Sequence, residues 1–263
     1  MSTPTNLSSP GRTLHVGVIL MGGLVNPPQS RPLPEPSETV DTPPLHLHST
    51  TEILDVAPLD FFSALDKSLI SAIPPSVLDI PAPVRAQALS IQYHWVSQAG
   101  PGTPSKLSAG ISLNPTDSFA ACPPLDIVLV GAHHMDYTPN DIELAFVRQS
   151  YETCSAFLSI CGGVLTPLMA GILQGKKATG PRFMLETLRK QAPTTEWLEK
   201  RWVRDGKLWT SGALLNGTDM MNAFGKEFWG PKEGEEESLA GLFTKMGAWP
   251  ERDVDYKDVT WSV

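Results

Sequence analysis

AFLSICGGVLTPLMAGILQG, residues 156–175, is the stretch whose reading decides the fold. AFLSI (156–160) is an apolar run of strand length, the pattern of a strand covered on both faces. Cys161 follows at once, then Gly162 and Gly163, and VLTPLMAGILQG reads as an apolar helix stopped at Gly175. A strand that runs through a nucleophile and small residues into a helix is the layout of a nucleophile elbow. Upstream, LDIVLVGA (125–132) is a second buried strand ending in small residues. A helix with Thr138 at the N-cap, Pro139 at N1 and Asp141 at N3 joins these two strands. LHVGVILM (14–21) is a third such strand, ALSIQYHWVSQ (88–98) a fourth, and AGISLNPTDSF (109–119) a short strand and turn. Strands alternating with helices predict an α/β fold, a doubly wound and mostly parallel sheet sandwiched by helices.

The remaining segments complete that plan. In TEILDVAPLDFFSAL, Thr51 caps a helix whose apolar face runs through Ile53, Leu54, Val56, Leu59 and Phe62, with a bend or restart at Pro58. KKATG (176–180) fits a short strand and PRFMLETLRKQA a helix. Asp205-Gly206 in KRWVRDGKLWTSG signals a hairpin, and LLNGTDMMNAFGKEFW supplies a closing helix. The organisation expected is a disordered N-terminus (1–13) and a single domain (14–228) carrying a proline-rich insert (22–51) with seven prolines. An acidic linker and tail (229–263) follow, whose Leu242, Phe243, Trp249 and Trp261 can dock on the domain or on a partner subunit.

The 263 residues can bury a core without metals or disulfides. With 20 basic against 28 acidic side chains and a formal charge of -8, the chain is a poor partner for nucleic acid. Its three cysteines, Cys122, Cys154 and Cys161, form no disulfide framework, and no run is long enough for a signal peptide or a membrane span. The expected location is the cytoplasm. Neither GxGxxG nor GxxxxGK[ST] occurs, so no nucleotide cofactor is indicated.

Cys161 stands where open α/β sheets bind ligands, at the carboxyl end of a strand. A helix N-terminus there lowers a thiol pKa, and the Gly162 N–H can stabilise a developing anion. Gly131 and Ala132, ending the central strand, can supply a second anion-binding N–H, and His133 or His134 can swing toward the same mouth as a base. His46 and His48 lack a carboxylate or cysteine at matching spacing, so no metal site is expected. Cys122 and Cys154 are expected to be structural, and Trp202, Trp209 and Trp229 to be core or dimer contacts.

LSICGGVLTPLMAGILQGKKATG resembles the cysteine elbow and following helix of the ThiJ/PfpI family, within the class I glutamine amidotransferase-like, flavodoxin-like fold. EILDVAPLDFF resembles the family's acidic first-helix motif, LDIVLVGA its central strand, and RWVRDGKLWTSGALLNGTDMM its hairpin and closing helix. The resemblance implies that Asp55 works beside Cys161, as a carboxyl pushed toward its protonated form. It also implies a homodimer. Many relatives carry a histidine after the cysteine helix, where this chain has Ala178, Thr179, Gly180, Pro181 and Arg182. That departure disfavours a Cys-His-acid triad and points to isonitrile hydratase-like members. The function expected is a cofactor-independent hydratase acting on a small electrophile, with no nucleic-acid or membrane partner. The alternatives are glyoxalase or deglycase action on 2-oxoaldehydes, and a redox-sensing or chaperone-like protein.

Overall fold

In the computed structural model, residues 4–22, 50–134 and 136–260 are described. Seven strands form the central sheet: β1 (Leu14–Ile19), β2 (Ile91–Ser97), β3 (Asp117–Ser118), β4 (Ile127–Val130), β5 (Ala156–Ile160), β6 (Trp202–Asp205) and β7 (Leu208–Ser211). Their spatial order is β6-β7-β5-β4-β1-β2-β3, parallel throughout except for the β6–β7 hairpin. Successive residues of a strand face opposite sides of a sheet, so a strand apolar at every position needs a core on each side. In β4, Ile127 and Leu129 enter one core while Val128 and Val130 enter the other, all four fully buried.

The first core is covered by α1 (Ile53–Val56), α2 (Asp60–Leu65), α6 (Asn216–Trp229) and α7 (Leu239–Met246), and the second by α3 (Asp141–Thr153), α4 (Leu165–Met169) and α5 (Leu185–Gln191). The first is rich in edge-on aromatic pairs. Phe62 meets Phe224 and Trp229, and Phe61 meets Trp249, each contact adding about 0.5–1.5 kcal/mol to the burial itself. Trp209 and Trp202 stack within the same cluster.

Several local expectations shift. Asn140, not Thr138, caps α3, because its side chain accepts from the Ile142 and Glu143 amides while the Glu143 carboxylate returns to the Asn140 amide. The helix after Cys161 is shorter than its apolar run. A 3₁₀ turn (Cys161–Val164) leads into α4, and Gly171, at φ 76°, turns the chain well before Gly175. Residues 4–13, expected to be disordered, lie at the amino ends of the central strands: Leu7 is buried, its carbonyl accepts from the Trp229 indole, and Thr5 and Arg12 both bond Asp126. Most of the proline-rich insert, residues 23–49 with His46 and His48, lies outside the described residues.

The tail docks on its own domain. Arg201 is buried, its backbone amide donates to the Val254 carbonyl, its Nε to the Asp253 carbonyl, and its Nη2 to both Asp258 oxygens at 2.7 and 2.8 Å. The Tyr256 hydroxyl accepts from Asn216 at 2.9 Å, beside the segment that follows β7. Among the described residues, no helix is long and apolar enough to cross a membrane.

Candidate active site

Cys161 follows β5 directly with a φ of 57°, a left-handed conformation that costs a non-glycine residue about 1–3 kcal/mol and persists only where the surroundings dictate it. Here two neighbours do so. The Cys161 amide donates to the Gly212 carbonyl at 3.2 Å, and Gly163 is wedged under β4, where a Cβ would sit 2.5 Å from the Val130 carbonyl oxygen. No side chain fits at 163, so the chain after the sulfur is pressed against the end of the central strand.

Asp55 reaches the same place from α1. The close approach depends on Gly131, whose Cβ would lie 2.9 Å from that of Asp55. Asp55 Oδ2 accepts from the Ala132 amide at 2.7 Å, while Oδ1 is buried and has no hydrogen-bond partner among the described residues. Burial pushes this carboxyl up to about 7, the Ala132 N–H opposing and Glu52 adding to the shift. Near neutral pH, Asp55 is therefore poised between its protonated and ionised forms. The Ala132 amide, expected to hold an anion, is engaged in holding Asp55.

Glu52, at the N-cap position of α1, is the residue the sequence reading passed over. The Ser108 hydroxyl, not Thr51, takes the Ile53 amide at the start of this helix, and the Glu52 side chain turns instead to the elbow, where Oε2 lies 3.9 Å from Cys161 Sγ. One oxygen of Glu52, one of Asp55 and the sulfur all lie within 4.8 Å of one another. Glu52 stands three residues before Asp55, a spacing that puts two helical side chains on one face, and that was the available signal. A second unforeseen participant is Leu214 (φ 46°), whose backbone N–H faces the sulfur together with that of Gly162.

The expectation of a lowered thiol pKa is overturned. Burial, then the charge of Asp55, with Glu52 contributing, outweighs the Leu214 and Gly162 amides and pushes the thiol up to about 12. Four residues of 3₁₀ turn supply too little positive potential to offset that burial and two carboxyl groups. The sulfur is thus a thiol in the resting protein, 8% exposed. Cys154, fully buried, and Cys122, half-buried, are likewise pushed up to about 12 by burial.

His133 packs edge-on against Tyr137, with Nδ1 3.0 Å from the His134 carbonyl, and burial lowers its pKa, so the ring is neutral. His134 is exposed beside Asp136. Glu52, Asp55 and Cys161 form the one cluster among the described residues whose donor atoms could share an ion, yet three donors fall short of a closed tetrahedral site. A cavity of about 160 Å³ lined by Leu65, Phe228, Trp229 and Leu239 lies apart from this cluster and has no cysteine in its lining.

A mostly parallel α/β sheet with a cysteine on a strained turn, faced by a carboxyl from the first helix, defines a class of cysteine-elbow proteins. Within it the chain belongs to the DJ-1/PfpI family, whose model matches residues 78–227. It is 33% identical, over 159 residues, to the isonitrile hydratase of Pseudomonas putida, a match covering 58% of this chain and 67% of that one. Its fold is similar to that of a ThiJ/PfpI family protein from Pseudomonas syringae, with a TM-score of 0.61 at 16% identity, covering 94% of this chain and 79% of that one. It is also similar to Drosophila melanogaster DJ-1beta, with a TM-score of 0.55 at 14% identity, covering 91% of this chain and 100% of that one.

Proposed function

We propose that this protein is a cofactor-independent hydratase that converts isonitriles, or closely related neutral carbon electrophiles, to N-substituted formamides, with Cys161 as nucleophile and Asp55 as proton donor. The observation that carries the reading is the pairing, at the carboxyl edge of the sheet, of a strained cysteine with a sealed carboxyl whose pKa lies near 7. The sulfur bonds the terminal carbon of R–N≡C, Asp55 protonates that carbon to give a thioimidate, and water completes the hydration and releases the sulfur. An acid poised near the working pH can give and retake a proton within one cycle. The amides of Gly162 and Leu214 steady the sulfur as it gains and loses charge.

The similarity to an isonitrile hydratase supports this chemistry, and so does the electrostatics of the site. Two carboxyl groups beside the nucleophile favour a neutral electrophile over an anionic one. Nothing takes the place of a triad histidine in the Ala178–Arg182 segment: Thr179 is buried against Thr210 and the Lys200 carbonyl, and Arg182 is paired with Glu199. A cytoplasmic homodimer belongs to the same proposal, supported by the exposed Leu54 on α1, and light scattering tests the assembly.

Wild type, Cys161→Ser and Asp55→Asn incubated with tert-butyl isonitrile and with methylglyoxal, followed by mass, test the function. Formamide production that needs both side chains is expected. Turnover of methylglyoxal alone would replace the reading with the glyoxalase one, and peroxide-driven mass gain at Cys161 without any turnover would replace it with a redox sensor.

A further inference from the structure

Resting on the hydratase reading, we propose that Glu52 takes the proton from the Cys161 thiol as the sulfur attacks, so that the site works with two carboxyl groups in opposite protonation states. The geometry separates the two acids. Asp55 is sealed, with one oxygen held by the Ala132 amide. Glu52 is partly open to water, and among the described residues its side chain makes no hydrogen bond except the 3.9 Å contact to Sγ. Water reaches Glu52 and not Asp55, and it is Glu52 whose oxygen the thiol faces within reach of a sulfur hydrogen bond, which places it to accept the S–H proton. The nucleophile needs such a base, because burial and these same acids hold it as a thiol.

The proton count closes. The S–H proton passes to the Glu52 carboxylate as the S–C bond forms, and Asp55 gives its proton to the attacked carbon, leaving a thioimidate, a neutral Glu52 and an ionised Asp55. Water then adds to the same carbon, its proton going to Asp55 while Glu52 protonates the substrate nitrogen. The C–S bond breaks as the carbinol proton moves to sulfur, which frees the formamide and restores the starting forms. No oxidant, reductant or external acid is consumed.

The test is the pH dependence of Cys161 alkylation by iodoacetamide, read by mass for wild type, Glu52→Gln and Glu52→Asp, alongside hydration of tert-butyl isonitrile. With a built-in base, wild-type alkylation should change little between about pH 8 and 9.5, above the range where Asp55 ionises beside the sulfur, whereas Glu52→Gln should rise about tenfold per pH unit, since only solvent-ionised thiolate remains. Glu52→Asp should keep the flat profile at a lower rate. Hydration by Glu52→Gln should fall about 10²-fold or more, the usual range for a lost general base. The same profile for Glu52→Gln and wild type would overturn the role of Glu52. Diverging alkylation profiles in a protein that leaves the isonitrile untouched would uphold Glu52 as the base and overturn the hydratase reading.

Discussion

The two ends of β5 carry one cysteine each, and the pair shows what turns a thiol into a site. Cys154 precedes the strand and Cys161 follows it; both are buried and both are pushed up to about 12. Resting acidity therefore does not tell them apart. Their surroundings do: Cys154 closes α3, lies 3.5 Å from the Tyr151 carbonyl and is sealed in hydrocarbon. Cys161 sits in a strained conformation, retains a sliver of exposure, and meets two carboxyl groups and two backbone N–H groups. In a parallel sheet, the carboxyl end is where loops converge and leave a crevice for ligands.

The largest expected effect that could break this contrast is on turnover. Cys161→Ala should lower isonitrile hydration by at least about 10³-fold, and residual activity near wild type would place the chemistry elsewhere. Asp55→Asn should abolish most turnover and, at high pH, stabilise the fold. The native carboxyl keeps its proton up to about pH 7, while the unfolded one loses it near 4. Native wild type thus binds an extra proton in that window and loses stability as pH rises through it, on the order of 3–4 kcal/mol by about pH 8. Urea melts should show the variant equal to wild type near pH 4 and more stable at pH 8. Parallel curves would mean that Asp55 is not sealed.

Gly163→Ala drives a methyl into the Val130 carbonyl. We expect a loss of about 1–3 kcal/mol in a thermal melt and a drop of roughly 10²-fold in turnover as the sulfur is displaced. The smallest effect sharpens the other side of the contrast. Cys154→Ala should cost about 1 kcal/mol and leave the rate within roughly threefold of wild type, because only packing is removed.

How much of this was legible in the sequence follows from what each feature depends on. The buried strands were, because runs such as Ile127 to Val130 leave no polar side to face water, and Cys161 stood out because it abuts one of them. Asp55 came through a resemblance to known motifs, not through spacing. Glu52 did not come through, since a carboxylate at a helix start usually reads as a favourable end charge, and which way it turns depends on Ser108 occupying the cap, 56 residues downstream. The acidity of the sulfur was misjudged for the same reason. A helix N-terminus is a local signal, whereas the burial that overrides it, with the two acids adding, comes from segments distant in the chain. Asn140 displaced Thr138 as a cap because Glu143 could reciprocate, a preference readable in the chain but overshadowed by the attractive Thr-Pro pair.

Arg201 has a practical consequence for anyone who handles the protein in pieces. The stretch matched by the family model ends at residue 227, but the carboxylate that neutralises this guanidinium comes from residue 258, and the backbone carbonyl of Arg201 receives the Gly212 N–H two positions before the amide that faces the sulfur. A fragment trimmed to the family's edge would strand an unbalanced cation in the interior and loosen the loop beside the nucleophile. What reads in the sequence as an appendix is an internal counter-ion supplied in cis, and the smallest working unit of this protein is longer than its signature.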